Sequence, residues 1–133
     1  MIFVDASALI AIITGEPGAD LLADRLESDV DRLCSAMSVW ETVAGLSRSY
    51  SFAPAAAQLH VERFRAALRL RLVVMGEVEM NLALEAYGRY GRGCHKAALN
   101  MGNCFAYGCA RAHGARLLYL GEDFAQTDLA WAE

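Results

Sequence analysis

The sequence predicts an α/β fold. It should have three layers, with helices on both faces of a mainly parallel sheet of roughly four or five strands and Ile2–Val4 in the middle. Three observations lead there. Ile2, Phe3 and Val4 are apolar at every position, as in a strand buried on both faces. Asp5 follows directly, and residues 6–13 continue as a helix, so Asp5 falls at the carboxyl end of a central strand, where ligands and chemistry gather in open α/β sheets. Further short apolar segments then alternate with helical periodicity, which implies parallel pairing and right-handed crossovers.

Each element has a local reason. Residues 14–18, Thr-Gly-Glu-Pro-Gly, form a turn, and residues 19–28 carry Leu21, Leu22 and Leu26 at helical spacing. Residues 32–36 read as a second strand. Ser38 followed three residues later by Glu41 has a capping-box pattern, which places Glu41 in the first turn of the next helix. That helix buries Val39, Val43 and Leu46, with Glu41 off the stripe beside Gly45 and Arg48. Pro54 stands at a helix start. Residues 55–70 follow, with Leu59, Phe64, Ala67 and Leu68 inward and Gln58, Glu62, Arg65 and Arg69 outward. Residues 72–75 form a third strand, and residues 77–90 a helix on Val78, Leu82, Ala86 and Tyr90. Residues 91–96 form a basic loop with Arg92 and Lys96. Gly102 opens a helix that Gly114 ends, and residues 117–120 are a fourth buried strand leaving through a turn at 121–124. The tail from Thr127 is too short to assign.

At 133 residues the chain is expected to form one domain, residues 1–133, with a substantial core. It is 56% hydrophobic and 21% charged, which excludes a disordered chain. No apolar run reaches the length of a membrane span, and the protein is expected to be soluble and cytoplasmic, with no membrane partner. Its four cysteines, Cys34, Cys94, Cys104 and Cys109, lack metal-knuckle spacing and read as reduced and mostly packed. A zinc site from Cys94, His95 and Cys104 is an alternative. His60, His95 and His113 read as surface residues, and Arg63, Arg65, Arg69 and Arg71 as a solvated helix face. A net charge of −4 argues against a generic nucleic-acid coat, but not against an enzyme holding a cation in an acidic pocket.

Asp5 and Asp123 both follow apolar strands, and Glu41 and Asn103 lie near helix starts. A parallel sheet therefore brings three carboxylates and one carboxamide from separate segments to one edge. Carboxylates gathered without a cation repel one another and resist ionisation. A hard divalent ion, magnesium or manganese, resolves the repulsion through oxygen ligands, and such an ion supports phosphoryl displacement.

The segments Ile2-Phe3-Val4-Asp5-Ala6-Ser7, Ser38-Val39-Trp40-Glu41, residues 100–107 and residues 118–124 resemble, in that order, a PIN-domain ribonuclease, and more narrowly a VapC-type toxin of a bacterial toxin–antitoxin pair. The resemblance covers nearly the whole chain. It implies a Mg²⁺- or Mn²⁺-dependent endoribonuclease, a homodimer, acting on RNA and silenced by a small VapB-type antitoxin. By position it implies a catalytic set of Asp5, Glu41, Asn103 and Asp123. Asp5, Asn103 and Asp123 would ligate the metal, Ser7 would stand beside it, and Arg92 and Lys96 are candidates for phosphate contact.

One position departs from the pattern. Asn103 stands where the family motif carries aspartate, which keeps the shape but removes a charge and a potential base. That leaves a second reading, a catalytically dead PIN fold that binds an antitoxin. A receiver-type phosphorylation domain also clusters acids at a sheet edge, but it needs a lysine after a late strand, where this chain has Leu120-Gly121.

Overall fold

The computed structural model describes residues 1–131; Ala132 and Glu133 lie outside them. Strand β1 (Ile2–Val4) leads into α1 (Ala6–Thr14) and α2 (Ala19–Glu27). Strand β2 (Arg32–Ser35) is followed by α3 (Ala36–Ser49) and α4 (Pro54–Leu68), and β3 (Arg71–Val73) by α5 (Glu77–Tyr90) and α6 (Met101–Ala112). Strand β4 (Arg116–Leu118) then leads to a single 3₁₀ turn, Phe124–Gln126. The sheet has four strands in the order β3-β2-β1-β4, and every pairing is parallel. The expected architecture is therefore present, with Ile2–Val4 flanked on both sides.

Side-chain alternation along the strands builds the layers. Phe3, Leu33, Val73 and Leu117 face one way and pack with Ala83, Ala86, Tyr107 and Ala110 of α5 and α6. Ile2, Val4, Cys34 and Leu118 face the other way and pack with Leu9 and Ala11 of α1 and Leu22 and Leu26 of α2. Helices α3 and α4 close a smaller cluster around Leu46, Ala57 and Val61. Helices α5 and α6 approach closely at Gly108, where a Cβ would lie 2.7 Å from the Glu79 carbonyl oxygen and 3.0 Å from the Ala83 nitrogen. The last described residues strap the outer edge: Trp131 packs between the guanidinium groups of Arg25 and Arg116, and its ring N–H donates to the Leu117 carbonyl.

Several boundaries differ from the sequence reading. Strand β3 begins and ends earlier than 72–75, because its partner β2 ends at Ser35, which pairs with Val73. Strand β4 likewise stops at Leu118, opposite Val4, where β1 gives way to α1. Helix α3 starts at Ala36, two residues before Ser38. Its cap is Ser35, whose hydroxyl accepts from the Ser38 N–H at 3.1 Å, while the Ser38 hydroxyl accepts from the Ser35 N–H at 2.8 Å. Glu41 is thus in the second turn and caps nothing. The fully buried stripe of α3 is Ser38, Thr42 and Leu46, with Val39 and Val43 packed at its side. On α4 the buried positions are Ala57 and Val61, and Leu59 is 50% exposed, because the cluster it faces is small and admits one i, i+4 stripe. Val78 of α5 is also exposed. His95 and His113 are half-buried, and His95 stands edge-on to Tyr90. In the arginine cluster, Arg65 pairs with Glu62 and Arg71 with Asp31.

The cap at Ser35 has a measurable consequence. Ser35→Ala should cost about 1 kcal/mol of stability, the usual scale for a lost N-cap. A lowered urea midpoint checks it, and an unchanged midpoint would place the cap elsewhere.

Candidate functional site

Asp5 is the N-cap of α1, in extended backbone at the point where β1 ends. It is 3% exposed, yet no cationic side chain pairs with it among the described residues. Its Oδ2 accepts from the Ser7 N–H at 3.0 Å and from the Ser7 hydroxyl at 2.6 Å. The Ser7 oxygen in turn accepts from the Leu120 N–H at 3.0 Å. Ser7 therefore ties the exit of β1 to the exit of β4, and its hydroxyl proton is directed at Asp5 because its acceptor side is occupied. Burial raises the Asp5 pKa above the usual carboxylate range, the Ser7 and backbone hydrogen bonds oppose the shift, and the negative charge of Asp123 adds to it.

Glu41 approaches from α3. Its pKa is raised to about 7, first by burial and then by the charge of Asp5, with Arg48 pulling the other way. What accommodates its carboxylate is Gly102, at the second position of α6: a Cβ built there would overlap the Glu41 carboxylate. A glycine at that position is thus a requirement of the α3–α6 approach, which no local pattern in the sequence announces.

Asp123 is exposed and stands just before the 3₁₀ turn, near enough to Asp5 for their charges to repel. Asn103 is half-buried and is the third residue of α6, with Asn100 as the cap. The Asn100 Oδ1 accepts from the Asn103 N–H at 2.9 Å, and the Asn103 Oδ1 accepts from the Asn100 N–H at 3.2 Å. The two bonds form a capping box, although Asn100-x-x-Asn103 lacks the Glu or Gln that usually signals one. Arg92 and Lys96 are exposed on the loop before α6, and Arg92 shares a groove with Asn100. The alternative zinc set does not assemble: Cys104 is buried in the core, Cys94 is exposed, and the His95 Nδ1 accepts from the Ala97 N–H.

Among the described residues, no three His, Cys, Asp or Glu side chains are grouped so as to hold a metal ion by themselves. The charge of Asp5 instead acts on Glu41, and that of Asp123 on Asp5, each raising the other group's pKa. That open arrangement suits an ion such as Mg²⁺ or Mn²⁺, which takes one or two carboxylates and keeps water or substrate phosphate in its remaining positions. The donors are all oxygen, and the buried charge of Asp5 lacks a counterion, so the residues fit the group.

The electrostatics set a pH dependence. Glu41 in the folded state holds its proton up to about pH 7, whereas an unperturbed glutamate loses it near 4.5. The folded form then binds more protons between those values, so stability is greatest at the acidic end and falls as pH rises through the window. Asp5, also raised, acts in the same direction. In EDTA, Glu41→Gln should flatten this fall, with a difference on the order of 1 kcal/mol near neutral pH. Urea midpoints across the pH range check it; parallel profiles for the two proteins would contradict it.

Comparison with known proteins matches this geometry to a family. The PIN domain family model matches residues 2–129. The chain is 39% identical over 127 residues to ribonuclease VapC30 of Mycobacterium tuberculosis, covering 96% of this chain and 95% of the relative. It is 39% identical to a VapC ribonuclease of Rhizobium meliloti, over 97% of this chain and 99% of that one. A crystal structure of Mycobacterium tuberculosis VapC20, described as a sarcin–ricin-loop-cleaving toxin, superposes with a TM-score of 0.72 at 18% identity, covering 94% of this chain and 93% of the other. With its motifs in order across the chain and its fold shared, this protein belongs to the PIN domain family and, within it, to the VapC ribonucleases.

Proposed function

We propose that the protein is a metal-dependent endoribonuclease toxin of a type II toxin–antitoxin pair, cleaving RNA phosphodiesters in the cytoplasm as a single PIN domain. The observation that carries this reading is the Asp5 carboxylate: buried, without a cationic partner, and crowded by Glu41 and Asp123, in a chain related throughout to proteins named ribonucleases.

In this reading Asp5 and Asp123 hold Mg²⁺ or Mn²⁺, which when bound neutralises the acids and polarises the scissile phosphate. The chain's own groups do the rest. Ser7 holds the Asp5 Oδ2 in place and links it to the strand end that presents Asp123. Glu41, with a pKa near neutrality, accepts the proton of the attacking water. The water oxygen forms a bond to phosphorus, the bond from phosphorus to the leaving ribose oxygen breaks, and that oxygen takes a proton from solvent. Gly102 keeps the Glu41 carboxylate from being displaced by α6.

The partners follow the same reading. A small VapB-type antitoxin would cover the apolar surface beside α3, where Trp40 is 70% exposed, and a bidentate arginine from it would neutralise the acidic site. The working form would be a homodimer.

Asn103 makes the reading testable. Asn103→Asp restores an anion at a helix N-terminus, where negative charge is tolerated. It should raise RNA cleavage by about 10²–10³, the scale of one preorganised electrostatic group. The activity should need Mg²⁺ or Mn²⁺, stop with chelator, and stop when Asp5→Ala is added. Both forms are purified, checked for folding, and assayed on total RNA. Equal inactivity would favour the antitoxin-binding module instead.

A further inference from the structure

We infer that the groove between α5 and α6 is a nucleotide subsite: it takes one base of single-stranded RNA against Tyr87, with the adjoining phosphate on Arg92. The inference rests on the ribonuclease reading above and extends it from the acidic centre to the strand that this centre would cut.

The groove is walled by Leu84 and Tyr87 of α5, Met101 and Phe105 of α6, and Arg92 of the loop between the helices. Its volume of about 360 Å³ is at the small end of the range for ligand sites. Tyr87 is 52% exposed, so its ring is open to a ligand. Among the described residues, Arg92 is the one charged side chain that lines the groove, and no carboxylate pairs with it. The groove between α3 and α4 differs in this respect, because its Arg65 is answered by Glu62 at 3.3 Å. In a chain with 16 acidic and 12 basic residues, an acid-free groove with an unpaired guanidinium is complementary to an anion.

The loop holds Arg92 in place. Its backbone N–H donates to the Leu99 carbonyl at 3.1 Å, and the Leu99 N–H donates to the Tyr90 carbonyl at 2.9 Å. A Cβ on Gly91 would lie 2.5 Å from the ring carbon Cδ1 of Tyr87, so the glycine lets the chain turn across the ring and bring Arg92 to the same groove. The groove also adjoins the acidic centre. Met101 forms part of its wall, and the next residue, Gly102, lies against the Glu41 carboxylate. A strand crossing the first turn of α6 meets both. An aromatic ring beside a guanidinium supplies what holds a single strand: a face for a base and a charge for a phosphate. An apolar helix seated there would instead cover the guanidinium without an opposite charge.

Tyr87 and Arg92 are both exposed, so substitutions there should leave the fold intact. Anisotropy of a short fluorescein-labelled single-stranded RNA is measured in EDTA over a series of salt concentrations. Tyr87→Leu keeps an apolar side chain but removes the ring. It should weaken binding about tenfold, the scale of one stacked base, with the salt dependence unchanged. Tyr87→Phe should bind as the unaltered chain does. Arg92→Gln should weaken binding and reduce the slope of log Kd against log salt by about 0.7, the share of one phosphate contact on a single strand. Light scattering should give all four proteins the same mass. Full RNA binding by Tyr87→Leu, or an unchanged salt slope in Arg92→Gln, would overturn the inference, as would an unaltered chain that binds no RNA. A lower mass for Tyr87→Leu would also overturn it and assign the groove to a second copy of the chain. If the binding losses appear but Asn103→Asp cleaves nothing, the ribonuclease reading fails and the subsite stands. If Asn103→Asp cleaves and the losses are absent, the subsite alone fails.

Discussion

The structure depends on a pair of hydrogen bonds at the end of its first strand. Ser7 donates to Asp5 from both its backbone N–H and its hydroxyl, and accepts from the Leu120 N–H. Those contacts start α1, join the exits of β1 and β4, and fix a carboxylate where the sheet opens. The central position of β1 makes the arrangement rigid, because it is paired on both sides and covered on both faces. A charge held in so dry a place is costly unless something of opposite sign answers it. Here the neighbours are two more acids, which increase the cost. If Asp5 binds a cation as proposed, stability and function pull in opposite directions there.

The other elements can be understood by how they serve this point. Helix α3 is capped by Ser35 and delivers Glu41 from its second turn. Helix α6 packs closely on α5 through Gly108 and brings Gly102 against the Glu41 carboxylate. The two glycines thus allow approaches that any side chain would block, one to build the layer and one to shape the site. The tail contributes from outside: the Tyr107 hydroxyl donates to Asp128, which also pairs with Arg111, so the segment after Asp123 is anchored to α6.

Much of this was legible in the sequence. The apolar run of Ile2–Val4 is short and unambiguous, and its burial on both faces forced the parallel sheet. Asp5 and Asp123 could be singled out because acids shortly after apolar strands are conspicuous, whereas Glu41 and Asn103 stood out only by their place near helix starts and by the order of the family's motifs. The cap of α3 was misread because Ser35 and Ser38 are both good caps, and only the pairing of β2 with β3 fixes where the strand stops. The inward face of α4 was misread because Leu59 is apolar yet has nothing to pack against. The part played by Gly102 depends on contact between helices about sixty residues apart, which local pattern does not encode. The Asn100–Asn103 pairing does not have the usual Ser/Thr-x-x-Glu/Gln signature of a capping box, so only the structure reveals it.

The proposed chemistry requires that Asp5 bind a cation. Asp5→Asn tests it cleanly, because asparagine caps a helix as well as aspartate does and α1 should still form. Thermal unfolding is followed with and without Mn²⁺. Mn²⁺ should stabilise the unaltered chain, by about 2.7 kcal/mol at a hundredfold excess over Kd, and leave Asp5→Asn nearly unmoved. Equal stabilisation of both proteins by Mn²⁺ would contradict it.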